Sequence, residues 1–460
     1  MTIKLHIAMY PWFAMGHLTS FLHISNKLAE RGHRISFFIP TETQPKLSSF
    51  NLHPHLISFL PIDVPHVPGL PPTAETTNDI PYALFSLLMT AMDLTRPAIE
   101  ASLVQLKPHF VFFDFTHWLP QSARRIGNIK TLLYCTISPA AVGYLISPER
   151  ELNEKSLKES DLLVPPKSFP SLSCIRLSAH EARGLVKETV KELGAGISFL
   201  ERQLIALNDS DAIGFKTSRE MEGVYCDYIE RQFGKKVILA GPVVPEPPNS
   251  ALEEKWANFL GNFGCKKVIF CAFGSECVLE NDQFQELIIG LELTGLPFLV
   301  ALKPPKGYEK IECALPEGFE ERVKERGIVH GGWVQQQLIL RHSSVGCFVT
   351  HCGSGSLLEG LMNECQLVLV PNVGDQIINA RMMSGDLRVG VEVKRGNESG
   401  AFTREGVCKA VKDVMDDESE VGKEVRTNHD KWREFLLSKG LEDSYIDCFV
   451  EELLAMISSS

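Results

Sequence analysis

Residues 333–376 read WVQQQLILRHSSVGCFVTHCGSGSLLEGLMNECQLVLVPNVGDQ, and the order of their parts decides the fold. The apolar run Val345 to Thr350 has the length of a short buried strand. His351 follows it, at the carboxyl end where ligands of open α/β sheets collect. Gly353 and Gly355 let the backbone approach a pyrophosphate. Ser356 falls at the amino end of a helix suggested by Leu357, Leu358, Leu361 and Met362. Free N–H groups and the helix dipole make such an end an anion site. Trp333 offers a flat face on which a pyrimidine ring can stack. Taken alone, the centre of this stretch also fits an ordinary strand-loop-helix unit capped by Ser356. The aromatic at its start and the Asp375-Gln376 pair at its end argue for a dedicated site.

Outward from this stretch, apolar runs of strand length alternate with longer helical patterns, which predicts βα units, parallel sheets and an α/β fold. The clearest strands are LHIAMY, RISFFI, HFVFFDF, TLLYC and DAIGF in the first half, and KVIFCAF, PFLVAL, VGCFVT and LVLVP in the second. Between the halves lies GPVVPEPPNS, residues 241–250, rich in proline and without periodicity. A chain of 460 residues is long for one core and suits two domains. The expected division is 1–240, a linker at 241–255, a second domain at 256–435 and a closing helical segment at 436–460. Residues 64–80 and 155–175 are proline-rich or polar and are expected to be surface loops. Helical patterns close the chain at Asp430 to Gly440 and Leu441 to Met456.

Charge and cysteine usage exclude several classes. With 46 Lys and Arg against 57 Asp and Glu, a net charge of -11 does not suit nucleic acid or anionic lipid. The 12 cysteines show neither a CxxC pair nor a zinc spacing, so free thiols in a reducing cytosol are expected. The amino terminus reads as a first strand, not a secretory signal, and no apolar run approaches membrane-spanning length. A monomer without a bound metal is expected.

Over its whole length, the 333–376 stretch resembles the signature box of plant family 1 glycosyltransferases, the UDP-sugar-dependent enzymes that glycosylate small secondary metabolites. Trp333, Gln336, His342, Gly346, His351, Gly353, Ser356, Glu359, Pro371, Asp375 and Gln376 all fall at the spacing of the box. The resemblance implies the GT-B architecture, two facing Rossmann-like domains, with the terminal helices crossing back onto the first. It also implies that Trp333 stacks on uracil, the Val334 backbone binds it, and Gln336 and Glu359 bind ribose. His351, Ser356, Ser275 in CAFGSE and backbone N–H groups, at Gly353 and Gly355 among others, would meet the phosphates. Thr136, Asp375 and Gln376 would bind the sugar hydroxyls.

The first half must supply the reacting group. His17 follows the first strand through the turn PWFAMG and is expected to open the helix HLTSFLHISNKLAERG at the carboxyl edge of the sheet. Histidine suits a general base because imidazole ordinarily titrates near neutrality. A lone histidine could equally cap the helix; the resemblance, which places a catalytic histidine after a glycine as in Gly16-His17, favours the base. Its family partner is an aspartate ending a later strand, matched by Asp114 in VFFDF. His109 and His117 are weaker candidates. Asp209-Ser210-Asp211 imitates the metal-binding DxD of another glycosyltransferase fold, but it directly precedes a strand and reads as a loop.

Departures from the common box bear on the acceptor. Ser354-Gly355 replaces Trp-Asn, Glu364 and Gln366 replace Gly and Pro, and Val373 stands where many members carry an aromatic. Gly355 and NECQLVLVP resemble the subgroup that adds a sugar to the sugar of a flavonoid or anthocyanin glycoside. The small residues at 354 and 373 would leave room for that acceptor. The expected reaction is therefore inverting, metal-independent transfer from a UDP-sugar, with glucose, xylose and rhamnose as candidate donors. The alternatives are transfer to a flavonoid or terpenoid aglycone, and a non-catalytic nucleotide-sugar-binding protein; both His17 and Asp114 argue against the latter. An NAD-dependent oxidoreductase would need a glycine-rich turn after the first strand, and MYPWFAMGH has one glycine.

Overall fold

A computed structural model describes residues 3–150, 157–243, 250–274 and 276–458. Two wholly parallel sheets carry the chain. The first contains β1 (His6–Tyr10), β2 (Arg34–Pro40), β3 (Ile57–Ile62), β4 (Phe110–Phe113), β5 (Lys130–Cys135), β6 (Ala212–Phe215) and β7 (Lys236–Leu239), in the order β3-β2-β1-β4-β5-β6-β7. The second contains β8 (Val268–Ala272), β9 (Phe298–Ala301), β10 (Gly327–His330), β11 (Val345–Thr350), β12 (Gln366–Leu369) and β13 (Gly390–Glu392), in the order β10-β9-β8-β11-β12-β13.

Helices cover both faces, so the central strands are buried on both sides and read as unbroken apolar runs. In β1, Ala8 and Tyr10 enter one core cluster while Ile7 and Met9 enter another, the alternation a pleated strand imposes. Each sheet reverses its winding once, between β1 and β4 and between β8 and β11. Loops leaving the carboxyl ends of adjacent strands diverge there, which opens a crevice.

The Leu441–Ser458 helix lies against the first sheet. Ile446, Phe449 and Leu453 are fully buried with Phe112, Tyr134 and Ile238. Arg31 pairs with Asp443 at 2.9 Å and with Asp447 at 2.6 Å, and Lys27 with Glu442 at 2.9 Å. At Gly241, φ is +75° and an added Cβ would stand 2.5 Å from the Cβ of Tyr445, so only glycine lets the chain pass under this helix.

Four expectations need correction. Residues 155–175 are not simply a surface loop, since Glu159–Leu163 is helical and Leu157, Leu162, Phe169 and Ile175 are buried. The first helix runs Met15–Glu30, so His17 sits in its first turn and Met15 opens it. Residues 64–80 are not simply a surface loop. Val67, Leu70, Ala74, Thr76, Thr77 and Ile80 are buried, and the Thr77 N–H donates to the Phe13 carbonyl at 3.0 Å. The helix before the last begins at Glu420, ten residues earlier than its apolar pattern shows, because its first turns are mostly polar and exposed. Residues 244–249 of the expected linker, and 155 and 156 of the second expected loop, lie outside the described residues.

Candidate active site

The β1–β4 switch point brings His17 and Asp114 together. His17 Nδ1 lies 2.5 Å from Asp114 Oδ2. The other carboxylate oxygen, Oδ1, accepts the backbone N–H groups of Trp12 and Phe115, each at 2.7 Å. Asp114 is thus buried with both oxygens engaged, and it grips the turn that delivers His17. An imidazole that donates from Nδ1 presents a lone pair at Nε2. Among the described residues Nε2 has no partner, and the side chain keeps 20% of its exposure. Thr136, just beyond β5, places Oγ1 at 3.2 Å from Nδ1, and the Phe115 ring stands edge-on at 5.3 Å.

Across the cleft, the β8–β11 switch point presents the turns after both strands. Cys352 takes a left-handed φ of 69°, turning the chain from β11 into the Ser354–Met362 helix. Gly353 caps that helix without a side-chain hydrogen bond, so its first N–H groups remain available to an anion. The His351 ring is packed between the two turns. A Cβ on Gly353 would come within 2.7 Å of His351 Nε2, and one on Gly274 within 3.2 Å. Burial pulls the His351 pKa down to about 4, opposed by its hydrogen bond to the Ala272 backbone, so at neutral pH the ring is uncharged, not a cation. Ser275 lies outside the described residues.

The remaining box residues group by side-chain contact. Gln336 Nε2 donates to Glu359 Oε2 at 2.7 Å and to Ser356 Oγ at 3.2 Å, and Gln337 Nε2 reaches Glu359 Oε1 at 3.1 Å. Trp333 is 78% exposed, its face open, while the adjacent Val334 is buried. Gln376 Oε1 accepts the N–H groups of Asn372 and Val373, both at 3.1 Å, closing the loop that carries the exposed Val373. A Cβ on Gly355 would meet nothing within 4 Å. Ser354 lines a small cavity between the halves with Ser138 and Asn379. Burial raises the Asp375 pKa, opposed by the Asn379 amide and by His17 across the cleft.

The rejected candidates have structural partners. His109 Nδ1 accepts the His6 N–H at 2.9 Å, and His117 Nδ1 meets the buried Arg202 at 2.8 Å. Of the box residues, His342 is likewise held locally, its Nδ1 bonded to Ser344 Oγ at 2.8 Å. Asp211 Oδ2 accepts from both N and Oγ1 of Thr131 at 2.8 Å, tying β6 to β5. The sequence reading missed Thr77 and Glu276, whose side chains hydrogen-bond across the cleft at 2.8 Å, because loop residues 199 apart carry no shared pattern. It also missed Asn379, although its spacing of four from Asp375 puts both on one helix face.

A cleft between two doubly wound halves, each turning its switch point inward, is the arrangement of GT-B glycosyltransferases. The fold is matched by the apo structure of Phytolacca americana UGT2, with a TM-score of 0.78 at 23% identity over 99% of this chain and 100% of that one. Residues 312–431 match the family described as UDP-glucoronosyl and UDP-glucosyl transferase. The chain is 62% identical to a cyanidin 3-O-galactoside 2''-O-xylosyltransferase of Actinidia chinensis var. chinensis, over 97% of this chain and 98% of that protein. It is 59% identical to an anthocyanidin 3-O-glucoside 2''-O-glucosyltransferase of Ipomoea nil, over 97% of each. The chain belongs to the UDP-glycosyltransferase family.

Proposed function

We propose that this enzyme transfers a sugar from a UDP-sugar to the sugar of a flavonoid or anthocyanin 3-O-glycoside, with inversion at the anomeric carbon. The observation that carries this is near-full-length identity of 62% and 59% to relatives named for sugar-on-sugar transfer. The open space at Gly355 and the small, exposed Val373 support an acceptor that already bears a sugar.

His17 Nε2 takes the proton of the acceptor hydroxyl as that oxygen bonds to the anomeric carbon. The bond from that carbon to the UDP oxygen breaks, and its electron pair leaves with UDP. Asp114 holds the imidazole in the required tautomer and stabilises the imidazolium that forms. Charge developing on UDP is met by His351 as a neutral donor, by Ser356, Ser275 and the N–H groups around Gly353 and Gly355. Trp333 stacks on uracil and the Val334 backbone bonds to it; Gln336 and Glu359 take the ribose, and Asp375, Gln376 and Thr136 the donor sugar. In this reading residues 1–240 hold the acceptor and 256–435 the donor. The twelve free thiols suit a reducing cytosol, and the reading takes the enzyme as a monomer.

The test is product analysis with UDP-glucose, UDP-xylose and UDP-rhamnose against a 3-O-monoglycoside and its aglycone. The glycoside should be preferred at least about tenfold in kcat/KM, roughly 1.4 kcal/mol, because an aglycone leaves polar groups of the second-sugar space unpaired. Equal or better turnover of the aglycone overturns the sugar-on-sugar reading. The same assay in excess EDTA should keep its rate, since the phosphate charge has protein donors to meet it. A loss restored by magnesium or manganese would overturn the metal-free mechanism.

A further inference from the structure

Asn379 lies in the Asp375–Arg381 helix, 1% exposed, and each of its polar atoms is engaged. Nδ2 donates to Asp375 Oδ2 at 2.9 Å and to the Cys352 carbonyl at 3.1 Å. Oδ1 accepts from Ser138 Oγ at 2.8 Å. The direction of this last bond is fixed by chemistry: Ser138 Oγ already accepts the Ala141 N–H at 3.2 Å, capping the Pro139–Leu145 helix, so its single proton is free for Asn379. The reversed amide would set its oxygen against a carbonyl and a carboxylate.

The three partners belong to three parts of the reaction site. Asp375 is the proposed donor-sugar contact. Cys352 is the left-handed turn that aims the Ser354–Met362 helix. Ser138 belongs to the other half of the cleft, two residues beyond Thr136 beside His17. We propose that Asn379 is a positioning residue that holds Asp375 as an ionised hydrogen-bond acceptor for the donor sugar and, through Ser138, ties that orientation to the half carrying His17. With Oδ2 occupied by the amide, Oδ1 of Asp375 has no side-chain partner among the described residues and is the oxygen left to accept from sugar hydroxyls. The inference rests on the reading of Asp375 as a sugar contact.

The experiment compares affinity for UDP, which lacks the sugar, with kcat/KM for the UDP-sugar across pH. Asn379→Asp sets a carboxylate against the Asp375 carboxylate, and the pair then retains a proton to higher pH. His17 is the titratable group that faces Asp375 from the other half, and the residue is retained in this variant. An acceptor that must be ionised is lost as pH falls, so the acid limb of the profile should move upward. At pH 6, kcat/KM should fall at least about tenfold and recover in part by pH 9, while the UDP Kd stays within about twofold. Equal weakening of UDP and UDP-sugar, or an unmoved profile, overturns the proposal and leaves Asn379 a packing residue.

Should Asn379→Asp not fold, Ser138 carries the test. Ser138→Ala should raise the UDP-sugar KM at least about threefold without changing the UDP Kd, and Ser138→Thr, which keeps the hydroxyl, should restore it. A wild-type KM in Ser138→Ala overturns the coupling. Asp375→Ala separates the two readings. If it leaves the UDP-sugar KM unchanged, the donor-sugar role of Asp375 fails; if it raises KM while the other variants do not, this inference alone fails.

Discussion

At the scale of single residues, the decisive object is the Asp114 carboxylate with its two unlike oxygens. Oδ1 is committed to two backbone N–H groups and Oδ2 to His17. In Asp114→Asn the amide oxygen must stay with the N–H groups, which turns NH2 toward His17 Nδ1. That nitrogen then has to accept, the ring proton moves to Nε2, and the lone pair that takes the acceptor's proton disappears. Asp114→Asn should therefore be about as damaging as His17→Ala, each lowering kcat by roughly 100-fold or more with UDP affinity within about twofold. Near-wild-type transfer by either variant, measured under saturating donor, would refute the base assignment. His17 and Asp114 could be proposed from the chain because His17 follows the turn after the first strand, Asp114 follows a later strand directly, and both match the family's pattern. Asn379 and the Thr77–Glu276 bond could not, since their meaning depends on a partner in the other half of the molecule.

At the scale of elements, legibility followed burial. All nine strands with clear apolar runs are present, and the four the runs did not reveal are β3, β7, β10 and β13, the edges of the two sheets. An edge strand has one neighbour and more solvent: β10 has no fully buried residue, and β3 is buried only at its two ends, with Ser58 and Pro61 exposed. Two glycines in the β11 segment make different demands. Gly346 sits at the irregular step of the β11–β8 pairing, where a Cβ would approach the Lys266 carbonyl oxygen to 2.3 Å. Gly346→Ala should cost about 1–3 kcal/mol, read as a lower denaturant midpoint, because backbone must move. Gly353→Ala collides instead with the His351 ring. That variant should keep its midpoint and lose about tenfold in UDP affinity, roughly one good hydrogen bond. Calorimetry on both variants distinguishes these outcomes, and the reverse assignment would mean that His351 does not serve the phosphates.

At the scale of the whole molecule, the chain's end completes its beginning. Phe449 packs at 6.0 Å between ring centroids against Phe112 in the middle of the first sheet, with Ile446 and Leu453 beside it. Phe449→Ala should cost about 3–5 kcal/mol, and the damage should be local. Hydrogen exchange should quicken in β1, β4 and β5 but not in β8 or β11; uniform loss of protection would show that the halves unfold as one unit. That the terminal helix returns to the first half is invisible to periodicity, which sees an amphipathic helix but not which sheet it covers. The arrangement also has a consequence in time. On the ribosome the amino-terminal half emerges first, and its Met15–Glu30 helix covers part of one face, but the part around Phe112, Tyr134 and Ile238 stays bare until residues 441–458 are made and clear the exit tunnel, after the second half has been synthesised. The sheet that carries His17, the proposed base, is thus an unfinished support until the Leu441–Ser458 helix has been made, and only then can a working cleft assemble.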